Sequence, residues 1–144
     1  MKEKILVSAC LLGTPCRYDG KSKKCNQIDK LRERFDLVPV CPEVLGGLNT
    51  PRLPCEIIEG KAIRSDGKDM TPFYKKGAKV ALEIAKKEGC KFAILKEKSP
   101  SCGSHFRYDG TFSKKLIKGQ GITSRLFSEH NIQIFSEEEI DSIL

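Results

Sequence analysis

Four short apolar runs separated by helical patterns predict an α/β domain of three layers, Rossmann-like, with a mostly parallel sheet of about four strands and a small hairpin excursion. The runs Lys4–Ser8, Asp36–Cys41, Lys91–Leu95 and Ile132–Phe135 are largely continuous in apolar character, as strands buried on both faces are. Stretches with helical spacing lie between them, so crossovers join the strands and put helices on both faces. Three of the strands also lead into a cysteine, Cys10, Cys41 and Cys102, at the carboxyl edge where open sheets of this class bind ligands.

Taken in order, Gly13 and Pro15 stop any helix after the first strand, and Arg17-Tyr18-Asp19-Gly20 closes a loop on an Asp-Gly turn. Asn26 is placed to cap a helix over Gln27–Arg34, with Ile28, Leu31 and Phe35 on one face. Pro42 to Leu48 reads as a loop, because Gly46-Gly47 disfavours regular structure. Residues 50–72 form an excursion in which Glu56–Ile58 and Lys61–Arg64 alternate about Glu59-Gly60 as a hairpin.

Thr71 as cap and Pro72 as first residue open a helix to Glu88, with Ala78, Ala81, Leu82 and Ala85 as inner stripe and Gly89 as stop. The loop Lys96–Ser104 follows the third strand, and Arg107-Tyr108-Asp109-Gly110 then repeats the tetrapeptide at 17–20. Gly119-Gln120-Gly121 precedes a helix over Thr123–His130, and is a helix entry before it is an anion nest. After the last strand, Ser136 and Glu139 form a capping box.

The length of 144 residues suits one domain, 1–144, with a core of its own. No apolar run approaches the roughly 20 residues of a membrane span, and MKEKILVSAC lacks a signal-peptide core, so a cytoplasmic location is expected. The net charge of +7 comes from paired lysines such as Lys75/Lys76 and Lys114/Lys115. A solvated surface accounts for it, and attraction of tRNA is the alternative.

Seven cysteines, an odd number, argue against a disulfide framework in a reducing compartment. No C-x2-C pair occurs, which removes zinc-finger and thioredoxin-type spacings. Single thiols on separate strand ends suit an iron–sulfur cluster, and three of them leave one iron open to act as a Lewis acid. Cys16, close to Cys10, is a fourth ligand, a sulfur relay or a loop residue. Cys25, Cys55 and Cys90 read as small core or turn residues. Glu43, two residues past Cys41, is the acid–base candidate, and Ser99 or Ser101 offers a hydroxyl beside Cys102. The bland readings are a salt-bridged loop carboxylate and ordinary turn serines.

The segments SACLLGTPCRYDG, CPEVLGGLNTPRLPCE, KEKSPSCGS and YDGTFSKKLIKGQGITSRLF resemble, in order and type, the bacterial family known as domain of unknown function 523, the thiouracil desulfidases. The resemblance runs from about Lys4 to Glu137 and matches the short form without an added C-terminal domain. It implies a [4Fe–4S] cluster held by Cys10, Cys41 and Cys102, a catalytic carboxylate at Glu43, and a catalytic serine at Ser99 or Ser101. It further implies non-redox removal of sulfur from 2- or 4-thiouracil. Arg17, Arg52 and Arg107 are candidates for seating the pyrimidine. The rival readings are a cluster enzyme acting on thiolated tRNA and a metal-stabilised binding module. The oligomeric state is left open.

Overall fold

The computed structural model describes residues 2–13, 18–19 and 27–144. Strand β1 (Glu3–Ser8) leads into a 3-10 turn at Ala9–Leu12, and α1 (Ile28–Arg34) precedes β2 (Phe35–Val40) and the short helix α2 (Pro42–Leu45). The hairpin β3 (Cys55–Ile58) and β4 (Lys61–Arg64) is followed by the long helix α3 (Thr71–Glu88) and β5 (Phe92–Leu95). A second hairpin, β6 (Phe106–Tyr108) and β7 (Leu116–Lys118), precedes α4 (Ile122–Glu129), β8 (Gln133–Ser136) and a 3-10 segment at Glu137–Ile143.

Strands β1, β2, β5 and β8 make one parallel sheet in the order β2-β1-β5-β8, the predicted fold class. The chain moves from β1 to β2 on one side and returns to β5 on the other, so the order reverses between β1 and β5. A crevice opens beyond strand ends at such a reversal.

The pleat sends alternate residues to opposite faces. Ile5, Val7 and Ile94 pack with Ile28 and Leu31 of α1 and with Ile140. Leu6, Ala93 and Leu95 pack with Ala81, Leu82 and Ala85 of α3 and with Phe127 of α4. Both faces are therefore apolar, which is why the strands read as unbroken runs. Burial of one such aliphatic side chain contributes about 1.5–3 kcal/mol. Among the described residues, no helix is long and apolar enough to cross a membrane.

Gly89, at φ 71°, ends α3 in the left-handed conformation as read. Glu59 and Gly60, at φ 49° and 78°, form the two-residue turn of the expected hairpin. The Ser136–Glu139 capping box is present. The cap assigned to Asn26 and the turn at Arg17 lie outside the described residues.

Three expectations are corrected. Pro42 to Leu45 is a turn of α-helix rather than loop, because Pro42 stands at the first helical position, where it has no N–H to lose, and the glycines follow only at the helix end. Met70, not Thr71, is the N-cap of α3. The Thr71 hydroxyl instead accepts from Ala62 N at 2.9 Å, and Asp69 Oδ1 accepts from Thr71 N at 2.9 Å. The β6–β7 hairpin was not anticipated, since three-residue strands are too short to show a period.

Candidate active site at the carboxyl edge of the sheet

The first two cysteines stand just past neighbouring strands. Cys10 lies in the turn after β1, and Cys41 follows β2 directly as the N-cap of α2. Both belong to the apolar cluster on the α1 face. Cys102, seven residues beyond β5, is buried on the opposite face beside Leu95 and Val40. Burial pushes its thiol up to about 12, a hydrogen bond from Ser8 opposes this, and the Glu43 and Cys41 charges add to it. Cys41 thus packs against the cluster that contains Cys10, and its charge is felt by Cys102.

All three thiols are free, and none of the three positions is an imidazole or carboxylate. Among the described residues, no three His, Cys, Asp or Glu side chains close on one point as ligands of a single ion would. A polynuclear cluster is different, because it meets single thiolates at separate corners. Three free thiols are soft donors, so the donor set fits an iron–sulfur cluster. Cys16 lies outside the described residues; Cys55 and Cys90 are buried in the core, as read.

Glu43 is the hub of a hydrogen-bonded group. Its Oε2 accepts from Arg52 Nε at 3.2 Å, Arg52 Nη2 at 3.0 Å and the Tyr74 hydroxyl at 3.0 Å. Its Oε1 accepts from Ser99 Oγ at 3.4 Å. The Glu43 and Arg52 side chains are only 14% and 9% exposed, so the pair is shielded from solvent. Arg52 Nη1 donates to Asn49 O and Thr50 Oγ1 at 3.0 and 3.1 Å, which fixes the guanidinium. Arg52, a candidate for substrate contact, is bonded to Glu43 and to the turn at Asn49 and Thr50.

The two serines separate. Ser99 Oγ, besides reaching Glu43, accepts from Ser101 N and Cys102 N, both at 3.1 Å, and so forms a tight turn onto Cys102. Ser101 is fully buried, with its hydroxyl 2.6 Å from Thr123 Oγ1. The loop also satisfies the start of α4: Ile122 N donates to Pro100 O, and Thr123 N to Ser101 O. Gly121 is required there, since a Cβ would meet Ser101 C at 2.5 Å. The stretch Gly119–Gly121 is accordingly a helix entry, with the Gly119 and Gly121 N–H groups donated to His105 O and Gly103 O.

Arg107 stands on β6, its Nε buried against Gly119 without a hydrogen-bond partner among the described residues, and it is not among the described groups bonded to Glu43. Arg17 lies outside the described residues, although Arg52 N donates to the carbonyl of nearby Tyr18 at 2.6 Å.

Sequence reading missed three participants. Ser8, the last residue of β1, accepts from Lys96 N at 2.9 Å and bonds the Cys102 thiol. Tyr74 lies one turn before the Ala78–Ala85 stripe of α3 and belongs to no motif. Glu97 is buried and accepts from Ser104 N, His105 N and Phe106 N at 2.9, 3.1 and 3.0 Å, organising the loop around Cys102. A lone carboxylate between two lysines gave no sign of that role.

Residues 5–139 match the family model described as 2-thiouracil desulfurase. The protein YbbK of Bacillus subtilis (strain 168), itself uncharacterised, is 44% identical over 97% of this chain and 99% of its own length. A solved structure of TudS, a [4Fe-4S]-dependent thiouracil desulfidase, superposes with a TM-score of 0.93 at 45% identity, covering 98% of this chain and 95% of that one.

Proposed function

The chain belongs to the 2-thiouracil desulfurase family, and we propose that it converts a thiouracil to uracil with release of sulfide, as a single domain carrying a [4Fe–4S] cluster on Cys10, Cys41 and Cys102. The observation that supports this reading best is the hydrogen-bonded Glu43, two residues past Cys41 and close enough to Cys102 to be felt by its thiol, with one oxygen accepting from Ser99. When bound, a cluster with three protein ligands supplies an open iron, a soft Lewis acid suited to a thione sulfur.

Around that centre the chain's own residues perform the hydrolysis. Glu43 Oε1 and the Ser99 hydroxyl orient a water against the carbon bearing sulfur. Glu43 takes one proton as the water oxygen adds to carbon; the second passes to sulfur as the C–S bond breaks, so the carbon becomes a carbonyl, the sulfur leaves as hydrosulfide and Glu43 gives its proton up to solvent. No electron is gained or lost. Ser101 holds the loop rather than the substrate, and Arg52 holds Glu43. Arg17 and Arg107 remain to seat the pyrimidine oxygens. A cytoplasmic setting, where thiols and cluster stay reduced, is in keeping with this chemistry.

Anaerobically purified protein incubated with 4-thiouracil tests the proposal. Stoichiometric sulfide and uracil are expected. A protein that binds iron yet turns over neither 2- nor 4-thiouracil, and instead binds tRNA with a steep salt dependence, replaces the free-base reading with the tRNA one.

A further inference from the structure

Two groups converge on Glu43 Oε2, and only one of them is explained by charge balance. Arg52 neutralises the carboxylate. Tyr74 brings no charge, is 1% exposed, and reaches across from the first turn of α3 to donate at 3.0 Å. Its hydroxyl also hydrogen-bonds the buried thiol of Cys55 on β3, so it is held from behind. The ring packs with Ile57, Ala62 and Met70, in a cluster that joins the hairpin to α3. Glu43 itself rides on α2, four residues long, which touches α3 backbone to backbone: a Cβ on Gly46 would meet Phe73 O at 2.0 Å. A helix that short has little rigidity of its own.

We propose that Tyr74 is a positioning residue for the desulfuration: by anchoring Oε2 from α3, it leaves Oε1 as the working oxygen aimed at Ser99 and the attacking water. This rests on the catalytic reading of Glu43 given above. The division of labour between the oxygens follows from the donors, since Oε2 receives Arg52 and Tyr74 while Oε1 receives Ser99. Without the tyrosine hydroxyl, Oε2 keeps, among the described residues, the guanidinium alone, about which the carboxylate can pivot. Carboxylate orientation matters to proton transfer, and misplacement of about 1 Å can cost on the order of a hundredfold in rate.

The test is a double-mutant cycle on the cluster-loaded protein, using Tyr74→Phe, Glu43→Asp and both together, with kcat and KM for 4-thiouracil, cluster absorbance and thermal midpoint recorded for each. Tyr74→Phe alone is expected to lower kcat roughly ten- to a hundredfold with KM within about twofold and absorbance unchanged. In the Glu43→Asp background, whose carboxylate no longer reaches the tyrosine, the same change is expected to cost less than about twofold. Equal losses in both backgrounds, a rise in KM alone, or loss of fold or colour in Tyr74→Phe overturns the assignment. Full activity in Glu43→Asp and in Glu43→Gln would instead sink the catalytic reading of Glu43, a result visible before Tyr74 is touched.

Discussion

Gly77 of α3 and Pro42 of α2 meet with no side chain between them: a Cβ built on Gly77 would stand 1.7 Å from the Pro42 carbonyl oxygen. The obstacle is backbone, so it cannot rotate away. Replacing Gly77 with alanine is expected to push α2, and Glu43 with it, off α3. Overpacking of this kind costs about 1–3 kcal/mol. Thermal unfolding should register that loss, and kcat should fall further than stability alone explains. An unshifted midpoint with normal kcat would show that the two helices need not touch.

Glu43→Gln keeps the shape of the side chain and removes the base. Turnover is expected to fall by about a hundred- to ten-thousandfold while the brown absorbance stays. Stopped assays of uracil formation on anaerobic protein give the rate. Bleaching of the colour in this variant would make Glu43 a residue that holds the cluster site rather than one that acts on water.

The serines are expected to divide by function. Ser99→Ala removes the hydroxyl at 3.4 Å from Glu43 Oε1 and should lower kcat. Ser101→Ala leaves Thr123 Oγ1 buried without its 2.6 Å partner, and should lower stability by about 1–3 kcal/mol while sparing kcat. Denaturant titration and steady-state kinetics on both variants decide the matter; a reversed pattern moves the chemistry to Ser101.

Glu97 links the loop around Cys102 to pH. Burial by itself would raise its pKa, but N–H donors from Phe106, His105 and Lys98 and the Ser104 hydroxyl prevail and hold it below the ordinary carboxylate range. A carboxyl lowered in the folded state stabilises at pH values above its unfolded pKa, and that stability is lost as pH falls through the folded value. The thermal midpoint of Glu97→Gln should thus lie below that of the native chain at pH 7, with the gap narrowing in acid, below about pH 4. A gap independent of pH would assign the loss to packing.

How far the sequence could be read depended on the range of each interaction. The parallel sheet was legible because both faces of each strand are covered, which leaves unbroken runs such as Ile5-Leu6-Val7. The places of the three cysteines were legible to the extent that strands were: Cys10 and Cys41 stand just past β1 and β2, and Cys102 follows β5 at the end of a loop. Tyr74 was not, since its partner Glu43 is 31 residues away and its neighbours Ala78 and Ala81 make it look like core. Nor was the seat of α2, because glycines meeting backbone leave no pattern of side chains. Ser99 and Ser101 could not be told apart in the sequence because their partners, Glu43 and Thr123, lie 56 and 22 residues away.

Metal and sulfide analysis of anaerobically purified protein, native and with Cys10, Cys41, Cys102 or Cys55 changed singly to serine, tests the central claim most directly. The native chain and Cys55→Ser are predicted to hold about four irons and four acid-labile sulfides per chain, and each of the other three to lose them. A single zinc in the native chain, or a full complement of iron in Cys102→Ser, would contradict it.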